Sequence, residues 1–305
     1  MEIYTYENNA YIKQETGVAL GNFDGLHLGH QKLIKTITTE CSRKGLKSSI
    51  LLFNNHTKTT LDEKSNLKIL TSNEQKLDIL DSLGVELIYT MNFNSSVMKL
   101  TPEEFATKIL VEKMKAKLVV VGFNYRFGYK AKGDANYLRK LGAKLGFEVI
   151  IVEPVYDDNQ VISSTLIREL IKNGYIEKAN RLLYSPYTIE GKVVSGKKRG
   201  KKLGFPTANL KLVYNYLIPR YGVYATKTII DNVEYNSLTN VGTNPTFDND
   251  ICSIESHIFD FNKDIYNNKI KIRFLKYLRE DKKFNTKEDL IEQINKDKKN
   301  IIKQC

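Results

Sequence analysis

The chain has 305 residues, more than one typical domain core contains, so its length favours two domains. Hydrophobic residues make up 41% and charged residues 27%, the composition of an ordinary soluble protein. The net charge of +12, from 47 basic and 35 acidic residues, fits a polyanionic partner, either a nucleic acid or the phosphates of a nucleotide, or only a lysine-rich surface.

The cysteines and the N-terminus further limit the class of protein and its compartment. Cys41, Cys252 and Cys305 are far apart and form no CxxC pair, so we expect neither a disulfide framework nor a zinc site. This usage fits a reducing cytoplasm. The N-terminus lacks the apolar segment of a signal peptide, and no apolar stretch approaches the length of a membrane span. We therefore expect a cytoplasmic protein.

The first half alternates between apolar runs and helical patterns, which predicts βαβ units and a doubly wound parallel sheet. The predicted strands are GVAL, SSILLF, ELIYTM, AKLVVVGF and FEVIIVEPV. The predicted helices are HQKLIKTITTECSRKG, SNEQKLDILDSLG with Ser72 or Asn73 as N-cap, TPEEFATKILVEKM and NYLRKLGAKLG.

The pattern changes near residue 184, where strands and turns replace the alternation. A hairpin is predicted around Asp231-Asn232, and SIESHIFDF and KIKIRFLKYL are further strands. A final helix begins after Thr286. The second half is therefore predicted to be a small, mostly β barrel with a terminal helix, and the predicted domains are residues 1–184 and 185–305.

The stretch GNFDGLHLGH follows the first predicted strand, at the edge of a parallel sheet where ligands bind. Gly21 and Gly25 permit a tight turn, and Gly29 lets another group approach the backbone. His27 and His30 face one cleft if the helix begins near His27, where unpaired N–H groups attract anions. This pattern suggests phosphate chemistry. The alternative is a glycine-rich turn with two surface histidines.

Two further stretches fit a nucleotide site. ISSTLIRELIKNG predicts a helix that begins at Ser164 or Thr165, and the hydroxyls of these residues suit a phosphate. The positive charge of Arg168 near the helix start is unfavourable next to the helix dipole, and an anion bound there would remove this conflict. The alternative is an ordinary capped helix with a solvent-facing arginine. In VVVGFNYRFG, Asn124 follows a strand among aromatic residues, which indicates either a stacking site for a ring or a loop packed by its own side chains.

The stretch GKKRGKKLGFPTANL is typical of a mobile cationic loop that covers phosphates. Its glycines and basic residues include Gly196, Gly200, Lys202 and Gly204. A nucleic-acid patch and a solvated loop are the alternatives. Thr207 and Asn209 are two residues apart, so on an extended chain both point to one side, where their oxygens suit Mg²⁺ held mainly by ATP phosphates.

A candidate base lies in SIESHIFDF. Alternation puts Glu255 and His257 on one face of this strand, opposite Ile254, Ser256 and Ile258. A carboxylate near Mg²⁺ can deprotonate an alcohol, which contributes about 10²–10⁴ in rate. The alternative is that Glu255 only faces solvent.

Together, GNFDGLHLGH, ISSTLIR and VVVGFNYRFG resemble the nucleotidyltransferase superfamily with the HxGH signature, and most closely the FAD synthetase module of bacterial bifunctional riboflavin kinase/FAD synthetases. The resemblance implies transfer of AMP from ATP to FMN. It implies that five residues contact ATP phosphates: His27, His30, Ser164, Thr165 and Arg168. It also implies that Gly21, Asn22 and Phe23 lie near the nucleotide. Asn124 would lie near the ribose of that nucleotide.

Three positions depart from this family's pattern. The family usually has Asp-Phe where this chain has Asn124-Tyr125, and often Arg where Leu166 stands. After the second strand it usually shows a Pro-containing segment, whereas this chain has FNNHTKTT. The last change lies on the expected flavin side and would affect adenylylation or its regulation.

The second half resembles the riboflavin kinase module of the same family through GKVVSGKKRGKKLGFPTANL, NVGTNPTF, IESHIFDF and LREDKKF. The resemblance implies a six-stranded barrel that phosphorylates the ribityl 5′-hydroxyl of riboflavin. It implies Mg²⁺ at Thr207 and Asn209, Glu255 as the base and Arg279 near the flavin. The family's usual histidine around Ser195 is absent.

We therefore expect an enzyme that makes FMN from riboflavin and MgATP and then converts FMN to FAD, releasing pyrophosphate. We expect small-molecule substrates and neither a nucleic-acid nor a membrane partner, and the sequence does not indicate the oligomeric state. The alternatives are an enzyme with only one active module, adenylylation of another acceptor such as pantetheine phosphate or a nicotinamide mononucleotide, and a basic RNA-binding regulator.

Overall fold

The computed structural model describes residues 1–8, 11–54, 67–196, 204–244, 251–282 and 284–304. These residues form two compact units. Unit 1 comprises Met1–Leu67 and Ser72–Ser163, and unit 2 comprises Lys68–Thr71 and Ser164–Cys305. No helix among the described residues combines the length and apolarity needed to span a bilayer.

Unit 1 contains a six-stranded parallel sheet in the order β1-β4-β3-β2-β5-β8. Its strands are β1 (Glu2–Thr5), β2 (Thr16–Leu20), β3 (Lys47–Phe53), β4 (Leu87–Met91), β5 (Ala116–Gly122) and β8 (Glu148–Val152). Its two short hairpins consist of β6 (Arg126–Phe127) with β7 (Gly133–Asp134) and β9 (Tyr156–Asp157) with β10 (Gln160–Val161). Its helices are α1 (Leu28–Lys44), α2 (Asn73–Ser82), α3 (Ser95–Met98), α4 (Pro102–Glu104) and α5 (Ala135–Leu145).

The sheet is covered on both faces, which is why its strands are almost continuously apolar. Val18 and Leu20 of β2 belong to one hydrophobic cluster, and Ala19 between them belongs to the other. Helix α1 contributes Ile34 and Ile37 to the second cluster. This two-sided packing confirms the predicted doubly wound fold.

The five predicted strands and four predicted helices of this unit are present. Ser72 caps α2 with a reciprocal capping box to Gln75, which confirms one of the two predicted N-caps. The predicted third helix begins with Pro102 but continues as a wide π-helix over Phe105–Lys113. Strand β1 and the two-residue strands were not predicted, because segments this short or polar carry little periodicity.

Unit 2 contains a closed six-stranded barrel in the order β11-β12-β15-β14-β13-β16, which confirms the predicted barrel. Its strands are β11 (Thr188–Val194), β12 (Ala208–Leu212), β13 (Gly222–Ile230), β14 (Val233–Asn244), β15 (Ile251–Ile258) and β16 (Lys269–Arg279). Its helices are α6 (Ser164–Lys172), α7 (Ile176–Leu182) and α8 (Lys287–Gln304). Helix α7 was not predicted.

Local chemistry explains two features of the barrel. Asp231 and Asn232 have φ values of 49° and 65°, the left-handed pair that a two-residue hairpin turn requires, as predicted. Thr286 accepts a hydrogen bond from the N–H of Asp289 and caps α8, also as predicted. Ile301 of α8 is buried on the outside of the barrel against Val223.

The inside of the barrel holds a cluster of fully buried hydroxyl side chains. They are Thr226, Thr228, Ser237, Thr239 and Ser256. Each is hydrogen-bonded to others of the set at 2.7–3.0 Å. A polar group in a core is stable only when it is paired, and here the hydroxyls pair with one another.

We predict that Gly17→Ala destabilises unit 1 because α1 lies directly on β2 at this residue. An alanine Cβ would lie 2.3 Å from Cys41 Sγ and 2.8 Å from Ile37 Cδ1, and such overpacking costs about 1–3 kcal/mol. Urea unfolding followed by circular dichroism measures the loss. The double variant Gly17→Ala/Cys41→Ala should recover part of it, and strictly additive effects would contradict the contact.

Candidate active sites

The sheet of unit 1 reverses its strand order between β2 and β5, which are parallel neighbours. In open parallel sheets ligands bind beyond the carboxyl ends of the strands at this switch point. The turn at residues 21–27 leaves β2 there, and Asn124 follows β5 at the same edge. The fold therefore puts two of the predicted stretches side by side.

The turn after β2 has an unusual backbone. Phe23, Gly25 and Leu26 have φ values of 48°, 88° and 44°, and left-handed backbone is rare for bulky residues. Burial holds the turn in place, since Phe23 and Leu26 are fully buried and Gln31 Nε2 donates to the Leu26 carbonyl at 3.0 Å. Backbone strain of this kind is typical of ligand-binding loops.

His27 is the N-cap of α1, as the predicted helix start requires, and it stacks on His30. The ring centroids are 3.8 Å apart with an interplanar angle of 21°. His30 Nδ1 is buried and has no hydrogen-bond partner among the described residues. Burial, followed by the nearby His27 and Lys76, holds the pKa of His30 well below its ordinary value. The imidazole is therefore neutral at pH 7, and it lies near a helix N-terminus, where unpaired N–H groups attract anions.

The remaining predicted residues of this turn lie at the same edge of the sheet. A Cβ on Gly29 would lie 3.2 Å from the His27 ring, and one on Gly21 would lie 3.3 Å from the Phe23 ring, so both glycines permit close packing. Asn22 is exposed. Asn124 is exposed as well, and its Oδ1 lies 3.5 Å from where a Cβ of Gly122 would be.

The second predicted phosphate-binding stretch lies in unit 2. Helix α6 begins at Ser164, as predicted, and Thr165 is exposed in its first turn. The guanidinium of Arg168 donates to the carbonyl of Ser164 at 3.1 Å and to that of Lys68 at 3.3 Å. Hydrogen bonds to carbonyls fix the orientation of this cation at the start of the helix.

The barrel brings together three residues of the second predicted site. Asn209 on β12 is directly opposite Glu255 on β15, so their side chains share the outer face. Thr207 Oγ1 lies 3.4 Å from Glu255 Oε2. Burial alternates along β15 as predicted, with Ile254 and Ser256 inside and Glu255 partly exposed outside.

The glycine-rich loop reaches this cluster at its first residue. A Cβ on Gly196 would lie 2.3–2.7 Å from the amide atoms of Asn209, so only glycine fits there. Gly204 has a φ of 83° and open space around it. Lys202 and Gly200 lie outside the described residues.

Two residues that orient this cluster were not assigned a role from the sequence. Ser253 Oγ donates to Glu255 Oε1 at 3.2 Å, and the period of two along a strand was the signal that could have identified it. His257 Nδ1 donates to the carbonyl of Pro206 at 2.9 Å and so fixes the residue before Thr207. Burial lowers the pKa of His257, which keeps its ring neutral.

Arg279 makes a largely buried ion pair with Asp297 of α8. Its Nε and Nη2 donate to Asp297 Oδ2 at 3.0 and 2.9 Å, and Gln293 donates to the other oxygen at 2.8 Å. The guanidinium also lies 5.9 Å from the ring of Phe284. The ion pair of Arg279 therefore holds α8 against the end of β16.

The donor set at Thr207 fits a hard cation. No group of three or more His, Cys, Asp or Glu side chains in the described part of the chain is arranged to hold a metal by itself. Thr207, Asn209 and Glu255 instead offer a hydroxyl, an amide and a carboxylate oxygen on one face. Oxygen donors of this kind suit Mg²⁺ when a nucleotide supplies further ligands.

Comparison with protein families gives two matches. The FAD synthetase model matches residues 10–166, and the riboflavin kinase model matches residues 183–305. Curated relatives match nearly the whole chain. A bifunctional riboflavin kinase/FMN adenylyltransferase of Listeria monocytogenes is 40% identical over 92% of this chain and 89% of its own length. One of Bacillus subtilis is 38% identical over 96% and 94%.

A solved structure also matches the whole chain. It is a Streptococcus pneumoniae chain described as a macrolide-efflux protein, with a TM-score of 0.90 and 33% identity over 98% of both chains. That description differs from the names of the curated relatives, which agree with both family models.

We predict that Lys76→Met raises the pKa of His30, because it removes a positive charge that disfavours the imidazolium. The pKa should stay below 6.5, since burial is the larger cause. NMR titration of the His30 ring protons measures the change. The control is Lys32→Met, which removes an exposed lysine from α1, the helix that carries His30. Equal shifts of the His30 pKa in both variants would contradict the interpretation.

Proposed function

The chain belongs to the bifunctional riboflavin kinase/FMN adenylyltransferase family, and we propose residue roles for its two reactions. The riboflavin kinase module phosphorylates riboflavin to FMN, and the FAD synthetase module adenylylates FMN to FAD. ATP is a substrate of both reactions. The contact between Thr207 and Glu255 beside Asn209 is the observation that carries the assignment for the kinase.

In the kinase reaction, Glu255 is the general base. Its carboxylate accepts the proton of the ribityl 5′-hydroxyl while that oxygen bonds to the γ-phosphorus of ATP, the bond to the β-phosphate oxygen breaks and ADP leaves. Ser253 holds one carboxylate oxygen, and His257 fixes the backbone before Thr207. Both contacts support a base that is already oriented before substrate binds.

Thr207 and Asn209 are the residues that would hold Mg²⁺ together with the ATP phosphates. When bound, the ion neutralises charge that develops on the transferred phosphoryl group. Gly196, Lys202 and Gly204 belong to the loop proposed to cover these phosphates, and the close fit of Gly196 on Asn209 supports this placement.

In the adenylyltransferase reaction, the acceptor is already an anion. A phosphate oxygen of FMN bonds to the α-phosphorus of ATP, and pyrophosphate leaves without a proton transfer to the protein. His27 and His30 bind the phosphates at the N-terminus of α1, with Gly21, Asn22, Phe23 and Gly29 shaping the turn. Ser164, Thr165 and Arg168 are proposed to bind ATP phosphates, and Asn124 is proposed to lie near a ribose.

We also propose the setting of the enzyme. Its functional domains are residues 1–184 and 185–305, its partners are small molecules rather than nucleic acids or membranes, and it works in the cytoplasm. The free thiols of Cys41 and Cys252 fit a reducing compartment. Arg279 is proposed to lie near the flavin, where its ion pair with Asp297 positions α8.

We predict that Glu255→Gln lowers the rate of FMN formation by about 10²–10⁴, because the amide has the shape of the carboxylate but accepts no proton at neutral pH. Chromatography of the flavins formed from riboflavin, ATP and Mg²⁺ measures this rate. Conversion of added FMN to FAD by the same variant is the internal control and should be unchanged. Normal FMN formation would refute the proposed base.

We predict the opposite pattern for His30→Ala. Removing a donor to the phosphates should lower FAD formation from FMN by about 10²–10³ and leave riboflavin phosphorylation intact. The same assay measures both steps. Equal loss of the two activities in this variant would show that the sites are not separate.

A further inference from the structure

We infer that Asn240 binds a secondary hydroxyl of the ribityl chain of riboflavin and so helps the kinase to recognise the flavin. The inference rests on the proposed kinase site and gives a role to Asn240, the first residue of the NVGTNPTF motif, to which the sequence analysis assigned none. Three observations on the outer face of the barrel support it.

The first observation is the register of the barrel. Asn240 on β14 lies directly opposite Glu255 on β15, which itself lies opposite Asn209 on β12. The row continues through Val223 on β13 to Arg279 on β16. Residues opposite one another share a face, so the base stands between two amides, and the row then leads to an apolar residue and a cation.

The second observation is an acceptor without a donor. Asn240 Oδ1 is buried and accepts no hydrogen bond from the described residues. A buried acceptor left in this state costs about 1–3 kcal/mol, so it calls for a ligand that donates. A hydroxyl is such a donor, and an amide on the same side chain can donate to the hydroxyl in return.

The third observation is the space beside this amide. A Cβ on Gly242 would lie 3.8 Å from both Asn240 Nδ2 and Asp281 Oδ2. Among the described residues these are the only atoms within 4 Å of that position, so we infer that the amide and the carboxylate border a space that a polar chain can enter. The two groups together offer a donor and acceptors, the set that a row of hydroxyls requires.

The distances fit a sugar alcohol. Opposite residues of two antiparallel strands have Cβ atoms about 4.5–5.5 Å apart. A ribityl chain whose 5′-hydroxyl meets Glu255 therefore carries one of its middle hydroxyls to Asn240. Beyond Asn240, Val223 and Leu238 are buried together with Ile301 of α8, so this helix borders the far end of the row.

The test begins with Asn240→Ala in the full-length chain. The KM for riboflavin should rise roughly five- to tenfold, because one hydrogen bond to the substrate is lost. The KM for ATP and the conversion of FMN to FAD should not change. Asn236→Ala is the matched control, since the same residue type lies on the same face of β14 four residues away.

Deoxyriboflavins lacking the 2′-, 3′- or 4′-hydroxyl identify the contact. The wild-type enzyme should use one of these analogues with a kcat/KM about tenfold below that of riboflavin, and Asn240→Ala should lose this discrimination. Gly242→Ala is the second variant, because its methyl group makes ordinary contacts but fills the gap, and it should also raise the KM for riboflavin.

An Asn240→Ala variant that lowers kcat, keeps the KM for riboflavin and still discriminates among the analogues would overturn the inference, since the residue would then act on Glu255 alone. Equal use of riboflavin and all three analogues by the wild-type enzyme would overturn it as well. Failure of the proposed kinase site is a separate result, because it would appear as normal FMN formation by Glu255→Gln.

Discussion

Closure of the barrel fixes the register of all six strands, and the kinase chemistry depends on that register. Each strand alternates between an inner and an outer face, so a slip by one residue would exchange Glu255 with Ser256. The inner hydroxyl cluster opposes such a slip, because a carboxylate replacing Ser256 would be buried beside the neutral hydroxyls of Thr228 and Thr239, and burying a charge without a counter-ion is costly. The packing of the core thus determines which side chains line the site outside it.

The phosphate site proposed for unit 1 is built differently from the one proposed for the barrel. The site proposed for unit 1 includes the N-terminus of α1, which follows the strained turn at Phe23 and Leu26 and packs closely on β2 at Gly17. Backbone N–H groups at a helix end already point at an anion, so few charged side chains are required. In the site proposed for the barrel, the oxygens of Thr207, Asn209 and Glu255 are the candidate ligands.

The sequence was sufficient for the elements that have a strong local pattern. Alternating apolar runs predicted the parallel sheet, the Asp231-Asn232 pair predicted its hairpin, and the spacing of His27 and His30 predicted that both lie on one side at the start of α1. What it could not predict depends on partners distant in the chain. Lys76 affects the pKa of His30 because α2 follows β3, the strand beside β2. Asn240 joins the site only because β14 pairs with β15. Local periodicity in the sequence reveals neither contact.

The two sites also differ in proton chemistry, and the substrates explain why. An alcohol loses its proton as it bonds to phosphorus, and the base proposed for this step in the barrel is Glu255, whose two carboxylate oxygens contact Ser253 and Thr207. A phosphate acceptor is already an anion at neutral pH, so the reaction proposed for unit 1 needs no base. Buried, neutral His30 beside His27 fits that requirement, because an imidazole can donate to a phosphate oxygen without adding negative charge. The difference between alcohol and phosphate thus accounts for the different side chains that the two units present.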